Sequence, residues 1–466
     1  MSGAAESQLV GDWVDSVLLA GADADTCLWL DGPVDRAALR ALVDEHQRTF
    51  AKAGLVAGGT IALRLPPSLT FVAMLLAGWR TGAQVSLLDH RLTEHEIERA
   101  LDRVAAQFVV TPTEVRGGRL RGYADVVATV TARENGEPAR TEHALIQFSS
   151  GSTGASKVIA RTAADLISEL DRYDRLAEFP GAGERMVVLA SMVHVLGLVG
   201  GLLNGLHTGV SLVFVERLTA DGILAAVAAG SAPTTVLGVP FHAELLTSVA
   251  EVPVLPQLKR MIVAGELVRP GVPGRFTERF GVPLGTMYGM TEVGVIATDL
   301  DGTQWPAVKP VHGIEVRTDN GELSIRMPAS PYIGLSDPTR FADGWLRTKD
   351  AAKFDQATGL VTILGRLDSQ VSIGGLKVDL TEVEQTLAAL PDVAEVVVVF
   401  DGEIEAYLAL HGDGGADSIE PAIGRELAPF KRPRRLHVLD KLPRTATGKL
   451  VRNPTALRDA AAGDPA

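Results

Sequence analysis

A chain of 466 residues, 46% hydrophobic and 22% charged, has material for a large core and for two or three domains. Its net charge of −13 excludes a surface built for nucleic acid. One cysteine, Cys27, excludes an internal disulfide framework and fits a reducing, cytoplasmic compartment, and Met1 to Asp15 show neither the basic start nor the apolar run of a secretory signal.

Charged and apolar residues alternate at helical spacing from Val34 to Ala53, which predicts an amphipathic helix. Thr60–Leu65 reads as a strand, Pro67–Gly82 as a helix, Ala83–Leu88 as a strand, Glu94–Ala106 as a helix and Gln107–Thr111 as a strand. Ala144 to Phe148 reads as a further buried strand, and the strands continue with Met186–Ala190, Ser211–Val215, Thr235–Val239 and Arg260–Val263. Short apolar strands alternating with longer helices predict a parallel α/β sheet. Met186 to Leu206 carries no Asp, Glu, Lys or Arg, a run of membrane-spanning length. Ser191, His194, Asn204 and several glycines within it, and no flanking aromatic belt, point instead to a buried strand and a core-facing helix. No membrane span is expected.

The turn-rich segment Asp301 to Asp355 predicts a small β-subdomain, with strands such as Glu322–Met327 and Leu346–Lys349. Near residue 366 the pattern changes: Leu380–Leu390 reads as a helix, and Val393–Val399 and Ala406–Leu410 read as strands. The expected class is therefore α/β, with a large N-terminal domain (1–367) and a small α+β C-terminal domain (368–466).

Chemistry concentrates in a few stretches. After the strand ending at Phe148 come Ser149, Ser150, Gly151, Ser152, Thr153 and Gly154, then Lys157. Glycines that turn backbone N–H groups inward, hydroxyl donors and a lysine suit a polyphosphate, although composition alone also allows a flexible Ser/Gly linker. The spacing is not that of a Walker loop. Gly265-Glu266 follows a strand and reads locally as a βα turn. In Tyr288-Gly289-Met290-Thr291-Glu292 the aromatic can stack on a base, Gly289 permits close backbone approach, Thr291 offers a hydroxyl and Glu292 offers a hard oxygen for Mg²⁺. Asp350 lies in Gly344-Trp345-Leu346-Arg347-Thr348-Lys349-Asp350 and could equally be a structural turn residue. Gly374-Gly375 fits a glycine hairpin joining two strands. Lys449 ends the loop Leu442-Pro443-Arg444-Thr445-Ala446-Thr447-Gly448-Lys449.

Taken in order, these motifs resemble those of the adenylate-forming superfamily: acyl- and aryl-CoA synthetases, peptide-synthetase adenylation domains and firefly-type luciferases. The resemblance runs from about residue 60 to 452, and the acyl- and aryl-CoA synthetases are nearest. It implies that residues 149–157 bind the phosphates of ATP, that Gly265-Glu266 and Tyr288 flank adenine, and that Asp350 accepts hydrogen bonds from the ribose. It further implies that Arg366 contacts ribose and phosphate, that a mobile C-terminal domain swings about Asp368, and that Gly374-Gly375 lines the path of a pantetheine thiol. Lys449 would reach the carboxylate and α-phosphate during adenylation. Three positions depart from the family pattern: Ser156 replaces a proline, and Val158 and Lys349 replace glycines.

His194 stands where acyl- and aryl-CoA synthetases place a histidine or aromatic, and no Asp occurs between Val187 and Gly209 to pair with a substrate ammonium. An unpaired buried ammonium would be costly, so the expected substrate is a small-molecule carboxylic acid lacking an α-amino group. Gly238, Val239, Ala264, Met287 and Val293 would complete a mostly apolar pocket, suited to an aromatic or bulky lipophilic acid. The expected co-substrates are ATP with Mg²⁺, and CoA. Alternatives are a free-standing adenylating enzyme serving a phosphopantetheine carrier protein, and a non-enzymatic nucleotide-binding module. The latter would be expected to lose Glu292 or Lys449, and both are present. The basic run Lys431, Arg432, Arg434 and Arg435 suits CoA phosphates or an acidic carrier equally well.

Overall fold

In the computed structural model, which describes residues 12–116, 122–149, 157–411, 415–443 and 450–463, local signals set the helices of the first half. Asp35 caps the helix Arg36–Ala53 by accepting from the Ala38 N–H at 2.7 Å, and Ser68 caps Leu69–Arg80 through the Phe71 N–H at 3.0 Å. The second of these helices buries Phe71 to Trp79 continuously, because the helix Arg36–Ala53 and the segment Val14–Leu18 pack on it as well as the sheet, and a helix enclosed on all sides is apolar all round. Trp79 also donates its indole N–H to the Ala144 carbonyl at 2.9 Å, tying this helix to the residue that precedes the strand Leu145–Ser149.

The chain divides into two compact units. One comprises Met1–His90, Asp102–Gln147 and Val158–Gly365; the other comprises Arg91–Leu101, Phe148–Lys157 and Arg366–Ala466. In the larger unit, one sheet has the parallel strands Thr60–Leu63, Gln84–Leu87 and Phe108–Arg116, with Leu145–Ser149 parallel to Gln84–Leu87. Asp125–Ala132, which the sequence pattern did not mark as a strand, closes one edge antiparallel to Phe108–Arg116.

The second sheet carries a run of parallel strands ordered Leu284–Met290, Leu258–Val263, Thr234–Gly238, Arg185–Val188, Ser211–Phe214 and Thr26–Trp29. Beyond Leu284–Met290 the pairing turns antiparallel through Gly294–Asp299 and Ala307–Pro310. The strands of the turn-rich segment, Val316–Asp319, Glu322–Arg326 and Trp345–Asp355, join the same sheet at this edge. The uncharged run from Met186 onward forms a strand and then the π-helical segment Leu196–Leu203, which continues into Asn204–Thr208. Leu198, Val199, Leu202 and Leu203 are fully buried in the main core. No described helix is long and apolar enough to cross a membrane.

The second unit has its own core. The strands Val393–Phe400 and Ile404–Leu410 pair antiparallel, Arg435–Val438 adds in parallel, and the helix Leu380–Ala388 buries Val383 and Leu387 in the cluster they share. Gln370–Ile373 and Leu376–Asp379 form a hairpin whose two-residue turn is Gly374 (φ 56°) and Gly375 (φ 84°). Positive φ at both turn residues matches the right-handed twist of the flanking strands, and glycine takes it without strain.

A buried ion triad lies inside this unit. Lys431 Nζ donates to Glu96 Oε1 at 2.8 Å and to Glu382 Oε1 at 2.9 Å, with all three side chains 9% exposed or less. Glu96 meanwhile closes a capping box with Thr93 at the start of the helix Glu94–Arg103. Burial alone would lower the Lys431 pKa, but the two carboxylates outweigh it and hold the ammonium above its ordinary value. Removing the central charge leaves two buried carboxylates facing each other. Lys431→Ala should therefore lower unfolding stability by roughly 3–5 kcal/mol, measured by denaturant titration at neutral pH.

Candidate active site

Parallel pairing aligns the C-terminal ends of four neighbouring strands, and the chain leaves each end through residues singled out by sequence. Past Val188 come Met192, Val193 and His194; Thr234–Gly238 leads to Val239; Leu258–Val263 leads to Ala264 and Gly265; and Tyr288 to Met290 end the fourth. Carboxyl ends of parallel strands are where open α/β sheets place ligands. The Ala264 N–H donates to the Gly238 carbonyl at 3.2 Å, and a side chain at Gly265 would touch Val239. Ala264 and Met287 pack in one cluster with Met192, Val193 and Leu237. Val293, also proposed for the pocket, packs in another, with Ile159, Tyr288 and Tyr332.

Tyr288 and Asp350 come together although the sequence separates them widely. The Tyr288 hydroxyl donates to Asp350 Oδ2 at 2.6 Å. Asp350 is buried on the strand Trp345–Asp355, and its N–H donates to Thr348 Oγ1 at 3.0 Å. Lys349, which stands at a family glycine, adopts φ 62° and so keeps the backbone shape a glycine would take. Its N–H donates to Glu322 Oε1 at 3.1 Å and its ammonium lies 3.4 Å from the same oxygen. These contacts offset a left-handed strain of roughly 1–3 kcal/mol.

Thr291 and Glu292 occupy the turn between Leu284–Met290 and Gly294–Asp299. Glu292 is 8% exposed, and its Oε1 accepts from the Tyr332 hydroxyl at 2.9 Å. A second set of groups holds the backbone of this turn. Glu169, fully buried, accepts from the Val295 N–H at 3.0 Å and from Arg161 at 2.6 Å, while Arg172 donates to the Val293 carbonyl at 2.8 Å. Gly294 has φ 86°, and a Cβ there would fall 2.1 Å from the Glu169 carboxyl carbon. Only glycine fits. Gly289 faces the Gly294 carbonyl so closely that a side chain would lie 2.6 Å from it.

His194 is 41% exposed, with Nε2 3.8 Å from Asp89 Oδ2. Asp89 is buried and also faces His90 Nδ1 at 3.8 Å. Gln147, at the end of the strand before the Ser/Gly stretch, donates to the Val193 carbonyl at 2.7 Å and so fixes the residue next to His194. Sequence reasoning singled out none of Asp89, Gln147, Glu169 or Tyr332. Each has at least one partner 40 or more residues away in sequence, and no local pattern marks such contacts.

Ser149 ends its strand, and Lys157, buried, opens Lys157–Arg161. Ser150, Gly151, Ser152, Thr153 and Gly154 lie outside the described residues, as does Lys449. Glu266 is half-buried. In the second unit Arg366 forms a two-pronged pair with Asp368, Nε to Oδ1 at 2.9 Å and a terminal nitrogen to Oδ2 at 2.5 Å, and Asp368 Oδ1 also accepts from the Gln370 N–H at 3.2 Å.

Residues 36–324 match the family described as AMP-binding enzyme, and residues 382–449 match the AMP-binding enzyme C-terminal domain. A probable CoA ligase of Humulus lupulus is 26% identical over 477 residues, which cover 90% of each chain. The p-hydroxybenzoic acid–AMP ligase of Mycobacterium tuberculosis is 28% identical over 435 residues, covering 86% of this chain and 61% of that one. An o-succinylbenzoate CoA synthetase of Bacillus subtilis shares the fold, with a TM-score of 0.80 over 97% of this chain and 98% of its own, at 22% identity.

One further histidine braces the backbone where Thr234–Gly238 leads into the helix Pro240–Thr247. His242 Nδ1 accepts from the Val239 N–H at 3.1 Å, and burial pushes its pKa down to about 4. An unfolded chain would take up this proton near pH 6.5. Between those values the unfolded state holds more protons, so stability falls as pH drops from 6.5 toward 4, by up to ~1.4 kcal/mol per unit. His242→Gln keeps an acceptor and removes the titration. The loss of stability between pH 7 and pH 5, measured by urea unfolding, should be smaller in the variant by about 2 kcal/mol.

Proposed function

Because the chain belongs to the AMP-binding enzyme family and is an acid–thiol ligase, we propose that it activates an aromatic or bulky lipophilic carboxylic acid without an α-amino group as the acyl-adenylate, releasing pyrophosphate, and then passes the acyl group to the thiol of CoA. The observation that carries this reading is the placement of Tyr288, Glu292 and Asp350 around one hairpin, with Tyr288 bonded to Asp350 at 2.6 Å. Tyr288 supplies an aromatic face for adenine, and the carboxylate of Asp350 accepts from the ribose.

Glu292 fits a Mg²⁺ ligand by the chemistry of its donor set. One carboxylate oxygen takes the Tyr332 hydroxyl, and among the described residues the other has no hydrogen-bond partner. The described residues also contain no cluster of three or more His, Cys, Asp or Glu side chains able to cage a metal. Mg²⁺ is commonly held by one or two carboxylates together with substrate phosphates, and here it would offset charge on the ATP phosphates.

The acid's carboxylate oxygen attacks the α-phosphorus, and the bond to the bridging oxygen of pyrophosphate breaks. Lys449 is assigned to the charge that builds on the α-phosphate and carboxylate oxygens, and residues 149–157 to the phosphates. In the second half-reaction the thiolate attacks the acyl carbon and AMP departs. The Gly374-Gly375 turn, without side chains, suits the thiol's approach, and Asp368 suits a pivot between the two steps. Delivery to a carrier protein or another acceptor is the second reading, favoured by the likeness to a protein named as an acid–AMP ligase.

The acid pocket takes its shape from Gly238, Val239, Ala264 and Met287, with His194 as its polar edge. The carboxylate nearest that edge, Asp89, is 8% exposed and faces two imidazoles, which leaves it poorly placed to receive a substrate ammonium. In acid-dependent ATP–pyrophosphate exchange, arylalkanoic acids should support rates at least ten times those of the corresponding α-amino acids, the minimum expected for an ammonium left without a buried partner. Equal rates across the pairs would remove the substrate assignment.

A further inference from the structure

Tyr332 sits on the short strand Tyr332–Ile333, which pairs antiparallel with Lys157–Arg161 in the register Tyr332 to Ile159 and Ile333 to Val158. That partner strand directly follows the Ser/Gly stretch in sequence. From it, two sets of contacts converge on the turn that carries Glu292. Through Tyr332, one reaches the Glu292 side chain at 2.9 Å. The other starts at Arg161, on the same strand, whose guanidinium holds Glu169 at 2.6 Å; Glu169 in turn accepts from the Val295 N–H. Tyr332 and Glu292 are each 8% exposed, so their hydrogen bond is shielded from water.

A glutamate has three side-chain torsions, and leaving them free would dilute any single metal-binding geometry. A hydroxyl donating to Oε1 fixes the carboxylate plane and directs Oε2. Hydrogen bonds to metal-ligating carboxylates from groups that do not touch the metal commonly change metal affinity ten- to a hundred-fold when removed.

We propose that Tyr332 is a positioning residue for the nucleotide-bound Mg²⁺: it orients the Glu292 carboxylate and couples it to the strand that leaves the phosphate-binding stretch. The inference rests on the reading of Glu292 as the metal ligand, and the test separates the two. Acid-dependent pyrophosphate exchange is titrated with Mg²⁺ for the unmodified protein, Tyr332→Phe, Glu292→Gln and the double variant. Tyr332→Phe should raise the half-saturating Mg²⁺ concentration roughly ten-fold and leave the KM for the acid within about two-fold, a split that a general loss of packing would not produce. Glu292→Gln should raise it at least as far, and adding Tyr332→Phe to that variant should change it no further.

Tyr332→Phe removes one oxygen and keeps the ring in its cluster. If the thermal midpoint still falls, all four titrations are made well below the lowered midpoint. An unshifted Mg²⁺ midpoint in Tyr332→Phe beside a shifted one in Glu292→Gln would overturn the positioning role alone. So would strictly additive effects in the double variant. An unshifted midpoint in Glu292→Gln would overturn the metal-ligand reading and the inference with it.

Discussion

Parallel pairing of Leu258–Val263 with Leu284–Met290 on one side and Thr234–Gly238 on the other is the constraint on which the larger unit depends. It fixes direction as well as neighbourhood: every strand in the run delivers its carboxyl end to the same edge. Gly238, Ala264 and Met287, proposed for the acid pocket, and the hairpin with Tyr288 and Glu292 lie near or beyond these strand ends because the strands before them are in register. The change to antiparallel pairing at Gly294–Asp299 matters equally. It folds the chain back beside Tyr288, and the same sheet then brings Asp350 within hydrogen-bond reach of that tyrosine.

Buried charge supplies the local precision. Glu169 is fully enclosed, and an isolated carboxylate there would be strongly disfavoured. Arg161 and the Val295 N–H satisfy it, and in doing so they hold the turn behind Glu292. The fit admits no side chain at Gly294, so the glycine and the glutamate more than a hundred residues apart form one feature. The second unit uses the same device at Lys431, where one ammonium satisfies two carboxylates from distant parts of the chain.

Much of this architecture was legible locally. The helix Arg36–Ala53 announced itself by periodicity, and Thr60–Leu63 and Gln84–Leu87 by short apolar runs between helices. Tyr288 to Glu292 stood out as a motif because the base stacking and metal ligation proposed for it would require particular residue types in close sequence. Asp125–Ala132 was missed although Val126, Val127, Thr129, Val130 and Thr131 are β-branched; most of the strand is exposed at the sheet edge, where it pairs with Phe108–Arg116. Tyr332, Glu169 and Asp89 act through contacts at long sequence separation, and a tyrosine before an isoleucine carries no sign of the carboxylate it will meet. Lys349 shows the reverse case. Sequence marked it as a departure from glycine, and the structure shows the glycine-like backbone retained and held by Glu322.

The central claim is that the acid's own oxygen forms the bond to the α-phosphorus. Turnover of a substrate acid labelled with ¹⁸O in both carboxylate oxygens, followed by mass spectrometry of the nucleotide product, tests it directly. Attack at the α-phosphorus and later displacement by a thiol leave one labelled oxygen on AMP and one in the thioester. Label found in inorganic phosphate, with ADP as the nucleotide product, would contradict the account.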